Sequence, residues 1–259
     1  MPINTHSKMP ILTRLGAKFV IFMTSLYVGT SVHAITPPWA EYEALLQDFV
    51  VFGTTDGVTL NQVDYSGLAR DSRCERLVSD LADFPVGALQ GREERLALYI
   101  NAYNILTVKI VIENSPLKTI TDVGNFFRPV WKREAGIIGG TPVSLDEIEH
   151  DILRKMNDPR IHFAIVCASV SCPDLRMEAY RAKHLDQQLD EQVRDFLLNT
   201  NKGSRLDNAR VEVSRIFKWF EEDFDRHGGV EGFIGRYIPL AENTPVRPTL
   251  DYNWSLNGR

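Results

Sequence analysis

The spacing of apolar residues predicts a chain built mostly of helices. Apolar positions recur three and four residues apart over 39–50, 72–84, 93–113, 185–198, 216–224 and 230–237. Gly, Pro and Asn residues lie near most of the ends of these stretches and are typical helix stops. The stretch 93–113 is the longest and is apolar on nearly every side, as buried helices are. We therefore expect it to form the central helix of the protein.

Two signals predict how the middle of the chain is organised. The stretch 137–143 has two adjacent glycines at its centre and predicts a β-hairpin. Ser144 is followed three residues later by Glu147, the spacing of a capping box, which predicts a helix that begins there and runs to Met156.

One further stretch has the composition of a strand. Residues 161–166 are mainly β-branched and aromatic and predict a buried strand that ends at Cys167. The stretch 51–66, by contrast, is rich in turn residues. Helices packed around a small sheet give an α+β fold, and we expect a single globular domain over 35–259.

The beginning of the chain resembles an export signal. Three basic residues, Lys8, Arg14 and Lys18, precede the mainly apolar run 19–32. Val32 and Ala34 are small residues at the positions that a signal peptidase reads. The run is about 14 residues long, and a membrane-spanning helix needs about 20. We expect residues 1–34 to be a cleaved signal peptide, which gives a periplasmic or secreted protein without a membrane anchor.

Charge and cysteine content narrow the function classes. The formal charge of −5 would become −8 without the three cations of the leader. A mildly acidic chain with no basic cluster is a poor candidate for nucleic-acid binding. The three cysteines are too few for a disulfide scaffold, and their odd number leaves one thiol unpaired unless chains cross-link. This count favours thiol chemistry or one local bridge.

The chemistry concentrates in the segment from Cys167 to Cys172. Pro173 predicts a helix start with Cys172 as its N-cap, where backbone N–H groups stabilise a thiolate. We therefore expect Cys172 to be more reactive than Cys167, which ends an apolar strand, or than Cys74. The alternatives are a Cys167–Cys172 disulfide and two ordinary core thiols.

A cysteine nucleophile needs a base, and two histidines are candidates. His162 lies on the predicted strand, and His150 follows Glu149 on the capped helix. The helical phase of Glu149 places it on the buried face, where it could orient a histidine. A metal site made of these histidines and cysteines lacks the usual ligand spacing, so we expect neither a metal nor another cofactor.

A polar stripe on the central helix offers possible substrate contacts. Asn101, Asn104 and Thr107 recur every three residues on an otherwise apolar helix. Either these amides tie down neighbouring loops, or Asn101 or Asn104 donates to a substrate carbonyl or orients a catalytic group. Lys218 is a further candidate substrate-binding residue.

Several motifs together resemble the domain of unknown function 547 family, over most of the chain from Val63 to Trp254. The motifs are Asn101-Ala-Tyr-Asn104, Ser144-Leu-Asp-Glu-Ile-Glu149-His150, Asp158-Pro-Arg-Ile-His162-Phe, Cys167-Ala-Ser-Val-Ser-Cys172-Pro173, Ile216-Phe-Lys218-Trp219-Phe and Asp251-Tyr-Asn-Trp254. The resemblance implies an exported bacterial protein without an assigned activity, associated with thiol chemistry through relatives fused to glutaredoxin-like modules. We also expect a core similar to those of papain-like and transglutaminase-like proteins.

Two classes of function follow. The first is a cysteine-dependent hydrolase or acyl transferase that acts on an amide or thioester of a small molecule or peptide, or a thiol–disulfide redox enzyme that uses Cys167 and Cys172. The second is an exported binding or scaffold protein in which a Cys167–Cys172 bridge fixes a loop.

Overall fold

A computed structural model describes residues 1–2, 37–207, 210–241 and 243–258. The predicted signal peptide and its cleavage point fall almost wholly outside these residues. Ile35–Arg259 form one compact unit.

The architecture is α+β, as predicted, with one long helix at its centre. The α-helices are α1 (Trp39–Phe49), α2 (Tyr65–Leu68), α3 (Ser72–Ala82), α4 (Arg92–Asn114), α5 (Ile161–Ala164), α6 (Leu185–Leu198), α7 (Ile216–Trp219) and α8 (Gly229–Ile234). A π-helix covers Glu147–Leu153. Short 3-10 turns cover Val86–Ala88, Ile120–Val123, Val130–Lys132, Arg154–Met156, Ala182–His184 and Glu221–His227. The strands are β1 (Val50–Thr55), β2 (Val58–Val63), β3 (Glu134–Ile138), β4 (Thr141–Ser144), β5 (Ser204–Asp207), β6 (Arg210–Val213) and β7 (Val246–Arg247). They form hairpins β1–β2 and β3–β4 and a sheet β5-β6-β7 in which β7 is parallel to β6.

Helix α4 carries the main core. Its residues from Leu96 to Thr107 are all buried, and α2, α3, β3 and the π-helix Glu147–Leu153 pack against it. It is also the one helix among the described residues that is long and apolar enough to cross a membrane, but most of it is buried inside the protein. A second cluster of buried aromatic rings joins α6, α7 and α8.

The hairpin and capping box predicted in the middle of the chain are confirmed. Gly139 and Gly140 have φ of 56° and 78°, the left-handed values that the tight β3–β4 turn requires. The Ser144 hydroxyl accepts from the Glu147 N–H, and the Glu147 carboxylate accepts from the Ser144 N–H. The segment that follows is wound as a π-helix and then a 3-10 turn as far as Met156.

The hairpin β1–β2 was not predicted, because the stretch 51–66 reads as turn-rich. Its signal is the dipeptide Asp56-Gly57, whose residues both have positive φ, at 51° and 79°. Asp-Gly is a common pair in two-residue hairpin turns.

The predicted strand 161–166 is wrong. Residues Ile161–Ala164 form the helical turn α5, and the chain becomes extended only at Ile165. Among the described residues, no strand pairs with this extended part. Instead the Asn104 side chain takes the place of a neighbouring strand. Its Nδ2 donates to the Ala164 carbonyl at 3.0 Å, and its Oδ1 accepts from the Val166 N–H at 3.0 Å. We call this pair of hydrogen bonds the Asn104 rung.

We expect Asn104→Ala to lower the free energy of unfolding by about 1–3 kcal/mol, because two buried backbone groups would lose their partners. Asn114→Ala is the matched control on the same helix, since Asn114 is exposed and bonds only the Ile110 carbonyl. Urea denaturation measures both variants. An equal loss in both would mean that the Asn104 rung contributes no special stability.

Candidate active site around Cys167

The loop from Cys167 to Cys172 follows directly on the segment that Asn104 holds. Ala168 has φ of 56°, a left-handed conformation that is uncommon for a residue with a side chain. The C-terminal segment braces the loop, because the Asn257 N–H donates to the Ala168 carbonyl at 3.0 Å and the Val170 N–H donates to the Ser255 carbonyl at 2.9 Å. The sharp turn therefore has support from a distant part of the chain.

The Cys167 thiol lies among hydrogen-bond donors. Its Sγ is 3.0 Å from the Ser169 hydroxyl and 3.2 Å from the Tyr252 hydroxyl. Burial alone would raise the pKa of the Cys167 thiol, but hydrogen bonds from Cys172, Ser169 and Tyr252 outweigh it and hold that pKa below the usual thiol value. Cys167 therefore forms a thiolate more readily than an ordinary cysteine does.

Cys172 is the opposite case, and its predicted position at a helix N-cap is wrong. No helix starts at Pro173; the chain stays irregular as far as Arg181. The Cys172 Sγ accepts from the Cys167 N–H at 2.7 Å, and the buried Lys202 ammonium donates to the Cys172 carbonyl at 2.9 Å. Burial, followed by the hydrogen bond to the Cys167 sulfur, raises the pKa of the Cys172 thiol well above its usual value.

The pKa shifts of the two thiols thus run opposite to the order of reactivity that we expected from the sequence. Cys167 is half-buried and has the lowered pKa, whereas Cys172 is only 3% exposed. Both are thiols in the structure, without a bridge between them. Burial, the largest effect on the third cysteine, raises the pKa of Cys74 to about 11.

His162 is held by an acidic partner that the sequence did not suggest. Its Nε2 lies 2.7 Å from Asp223 Oδ2, and its ring stacks on Phe220 with centroids 3.9 Å apart. Burial opposes ionisation of Asp223, but hydrogen bonds from His162 and Arg154 hold the pKa of this carboxyl well below its usual range. An ionised Asp223 must accept, so the proton of His162 resides on Nε2 and Nδ1 carries a free lone pair.

The free nitrogen of His162 faces Glu149. Nδ1 has no hydrogen-bond partner and lies 3.7 Å from Glu149 Oε1, while the Tyr103 hydroxyl lies 3.5 Å from Glu149 Oε2. Burial is the main cause that raises the pKa of Glu149 to about 7, and the nearby Cys167 sulfur adds to it. Burial also lowers the pKa of His162. Both shifts favour the neutral forms, so His162 and Glu149 form a pair whose shared proton is held on the carboxyl rather than on the imidazole.

The thiol and this pair line the same cavity, of about 230 Å³. His150 also lines it, 40% exposed, with Nδ1 at 2.9 Å from an Arg154 nitrogen. The remaining walls are mostly aromatic, from Trp131, Trp219, Phe220, Tyr252 and Trp254. The structure therefore brings together five of the residues named from the sequence: Glu149, His150, His162, Cys167 and Cys172.

The predicted substrate-binding residues lie elsewhere. Asn101 and Asn104 are fully buried and do not line the cavity. Asn101 forms a rung like that of Asn104, donating to the Tyr180 carbonyl and accepting from the Tyr180 N–H. Lys218 is exposed and also lies outside the cavity lining. Of the roles open to the amides, the structure therefore supports that of tying down neighbouring segments.

A comparison with protein families matches residues 87–197 to the family described as "Protein of unknown function, DUF547". The match supports a DUF547 family domain over these residues. The matched range contains Tyr103, Glu149, His162 and both loop cysteines, whereas Asp223, Tyr252 and Trp219 lie beyond it. No curated protein and no solved structure matches the chain.

Three contributors to the site were missed by sequence reasoning. Tyr103 and Tyr252 occur in motifs that carry the family resemblance but were given no role. Asp223 is one of several consecutive acidic residues, and nothing in its sequence context distinguishes it from its neighbours.

Among the described residues, no group of three His, Cys, Asp or Glu side chains has an arrangement that could hold a metal ion.

The raised pKa of Glu149 predicts a gain in stability on neutralisation. The folded protein binds this proton more tightly than the unfolded chain, so its contribution to stability is present at low pH and is lost as the pH rises from about 4.5 to about 7. Glu149→Gln should therefore raise the free energy of unfolding by about 1–3 kcal/mol at pH 8 and leave it nearly unchanged at pH 4.

Glu147→Gln is the control with the opposite sign. Hydrogen bonds from the Ser144 backbone N–H and hydroxyl lower the pKa of Glu147, so its replacement should reduce stability at pH 8. Denaturation curves at both pH values measure the two variants. A loss of stability at pH 8 in Glu149→Gln would contradict the burial argument.

Proposed function

We propose that the protein is an exported cysteine-dependent hydrolase or acyl transferase in which Cys167 is the nucleophile. The observation that carries the proposal is the convergence, in one aromatic cavity, of a thiol of lowered pKa with the His162–Glu149 pair. Acyl transfer through a cysteine requires three parts: a nucleophile, a group that exchanges protons with the substrate, and a carboxylate that orients the histidine.

The first half-reaction follows from these positions. The Cys167 thiolate attacks the carbonyl carbon of an amide or thioester, and a C–S bond forms. The Tyr252 hydroxyl, 3.2 Å from the sulfur, donates to the thiolate and then to the developing oxyanion. The His162–Glu149 pair gives its proton to the amine or thiol that leaves, and the acyl group remains on Cys167 as a thioester.

The second half-reaction returns the enzyme to its starting state. Water or an acyl acceptor gives up a proton to the His162–Glu149 pair and attacks the thioester. The C–S bond breaks, and Cys167 leaves as the thiolate. Asp223, 2.7 Å from His162 Nε2, fixes the tautomer in which Nδ1 can take that proton.

A thiol–disulfide exchange enzyme is the second candidate, and the asymmetry of the two thiols favours it. A half-buried cysteine of lowered pKa next to a buried cysteine of raised pKa fits an attacking and a resolving thiol. Cys167 would attack a substrate disulfide, and Cys172 would release the reduced substrate by closing a Cys167–Cys172 bridge. This reaction gives no role to the His162–Asp223 contact, so we prefer acyl transfer.

Acylation can be tested with p-nitrophenyl acetate. We expect a burst of nitrophenolate together with an acetyl group on the Cys167 peptide, located by mass spectrometry. Cys167→Ser should abolish both, whereas Cys74→Ser, which removes a thiol of raised pKa outside the cavity, should leave them unchanged. A burst that persists in Cys167→Ser would reject Cys167 as the nucleophile.

The hydroxyl of Tyr252 should set the pH dependence of Cys167. Loss of this donor in Tyr252→Phe should raise the thiol pKa and slow alkylation of Cys167 by iodoacetamide near pH 7 several-fold, with little change at high pH. Tyr237→Phe is the matched control, because the Tyr237 hydroxyl bonds Asp190 away from the cavity. Superimposable rate–pH curves for the two variants would remove Tyr252 from the mechanism.

A further inference from the structure

The cavity next to Cys167 has electron-rich walls. Tyr252, Trp219 and Trp254 form one continuous aromatic surface, with ring centroids 4.6 to 5.8 Å apart. Trp131 contributes a further indole to the lining. The faces of such rings attract cations, and indole does so most strongly.

The charged groups that line the cavity also favour a cation. Asp146 and Glu149 line it, and no Lys or Arg is among the described residues that do so. The neighbouring Arg154 directs its N–H groups at Asp223, Glu222 and His150. Together with the Cys167 thiolate, the Asp146 carboxylate and, above its pKa of about 7, the Glu149 carboxylate give the cavity a negative potential.

Three acceptor groups of the cavity lack a close hydrogen-bond donor. His162 Nδ1 is buried and lines the cavity, yet it has no partner. Asp146 makes only a 3.8 Å contact with His150, and Glu149 makes only the distant contacts with Tyr103 and His162 described above. Each of these groups accepts hydrogen bonds, so a ligand rich in N–H groups would satisfy all three.

We propose that the substrate of this site carries an organic cation, an ammonium or guanidinium group, that binds between the aromatic walls and directs its N–H groups at Asp146, Glu149 and His162. This inference rests on the proposed function, because it takes Cys167 as the reacting group. It names the chemical class of the acyl donor or acceptor. A carboxylate or phosphate at the same place would meet like charge and would find no guanidinium or ammonium to neutralise it.

The charge preference can be measured without knowledge of the substrate. Alkyl methanethiosulfonates react with a thiolate to give a mixed disulfide, as the reagent's S–S bond breaks and methanesulfinate leaves. We would compare the 2-aminoethyl, 2-sulfonatoethyl and methyl reagents on the Cys74→Ser protein at pH 8, following the mass of the Cys167 peptide. Each rate is divided by that of the same reagent with 2-mercaptoethanol, which removes differences in intrinsic reactivity.

The aminoethyl reagent should modify Cys167 at least about tenfold faster than the sulfonatoethyl reagent. Asp146→Asn should reduce this ratio by at least about threefold. Asp151→Asn is the matched control, since this 64% exposed carboxylate pairs with Lys155 on the same helical segment and lies outside the cavity.

The possible failures separate the two proposals. A ratio near one, or an equal reduction in both Asp variants, would overturn the cationic substrate while leaving Cys167 as the nucleophile. If even the methyl reagent leaves Cys167 unmodified, the proposed function fails, and this inference fails with it.

Discussion

The site depends on one side-chain amide. Asn104, inside the buried helix α4, bonds the Ala164 carbonyl and the Val166 N–H and so fixes the extended segment that ends at Cys167. A β-strand would need a neighbouring strand for the same purpose, and none is paired with this segment in the described structure. The Asn104 rung fixes the segment from one side only. The end of the segment, which carries the Cys167 sulfur, is left at the wall of an open cavity.

The division of roles between the two loop thiols follows from what surrounds each sulfur. Burial raises the pKa of both, but Cys167 has hydroxyl and thiol donors that stabilise its anion, whereas the Cys172 thiol supplies its proton to that network. The Cys172 carbonyl is anchored in turn by the buried ammonium of Lys202, which also bonds Asp174 at 2.6 Å. This anchoring of the Cys172 backbone keeps its sulfur next to Cys167, whose N–H donates to it at 2.7 Å, so Cys172 acts through Cys167.

The sequence predicted this fold where local signals and tertiary packing agree, as in α4, the β3–β4 hairpin and the capping box of Ser144. It failed for the segment that ends at Cys167, because β-branched residues favour a strand only when a partner strand exists. It also failed for Cys172, because Pro173 permits a helix start but does not require one. The partners of the site, Asp223 and Tyr252, come from distant parts of the chain, and no local pattern could join them to His162 and Cys167.

Several unfavourable features of the protein lie at or next to this site. A carboxyl of pKa about 7 at Glu149, an unpartnered nitrogen on buried His162 and a left-handed Ala168 each cost folding free energy. Structural reasons alone would favour a paired Glu149 and a satisfied His162. Glu149 and His162 line one aromatic-walled cavity, Ala168 directly follows Cys167 in the chain, and α4 and the C-terminal segment stabilise this region. That arrangement is expected where unsatisfied groups are reserved for a ligand, and the N–H donors that Asp146, Glu149 and His162 lack are those that the proposed cationic substrate would bring.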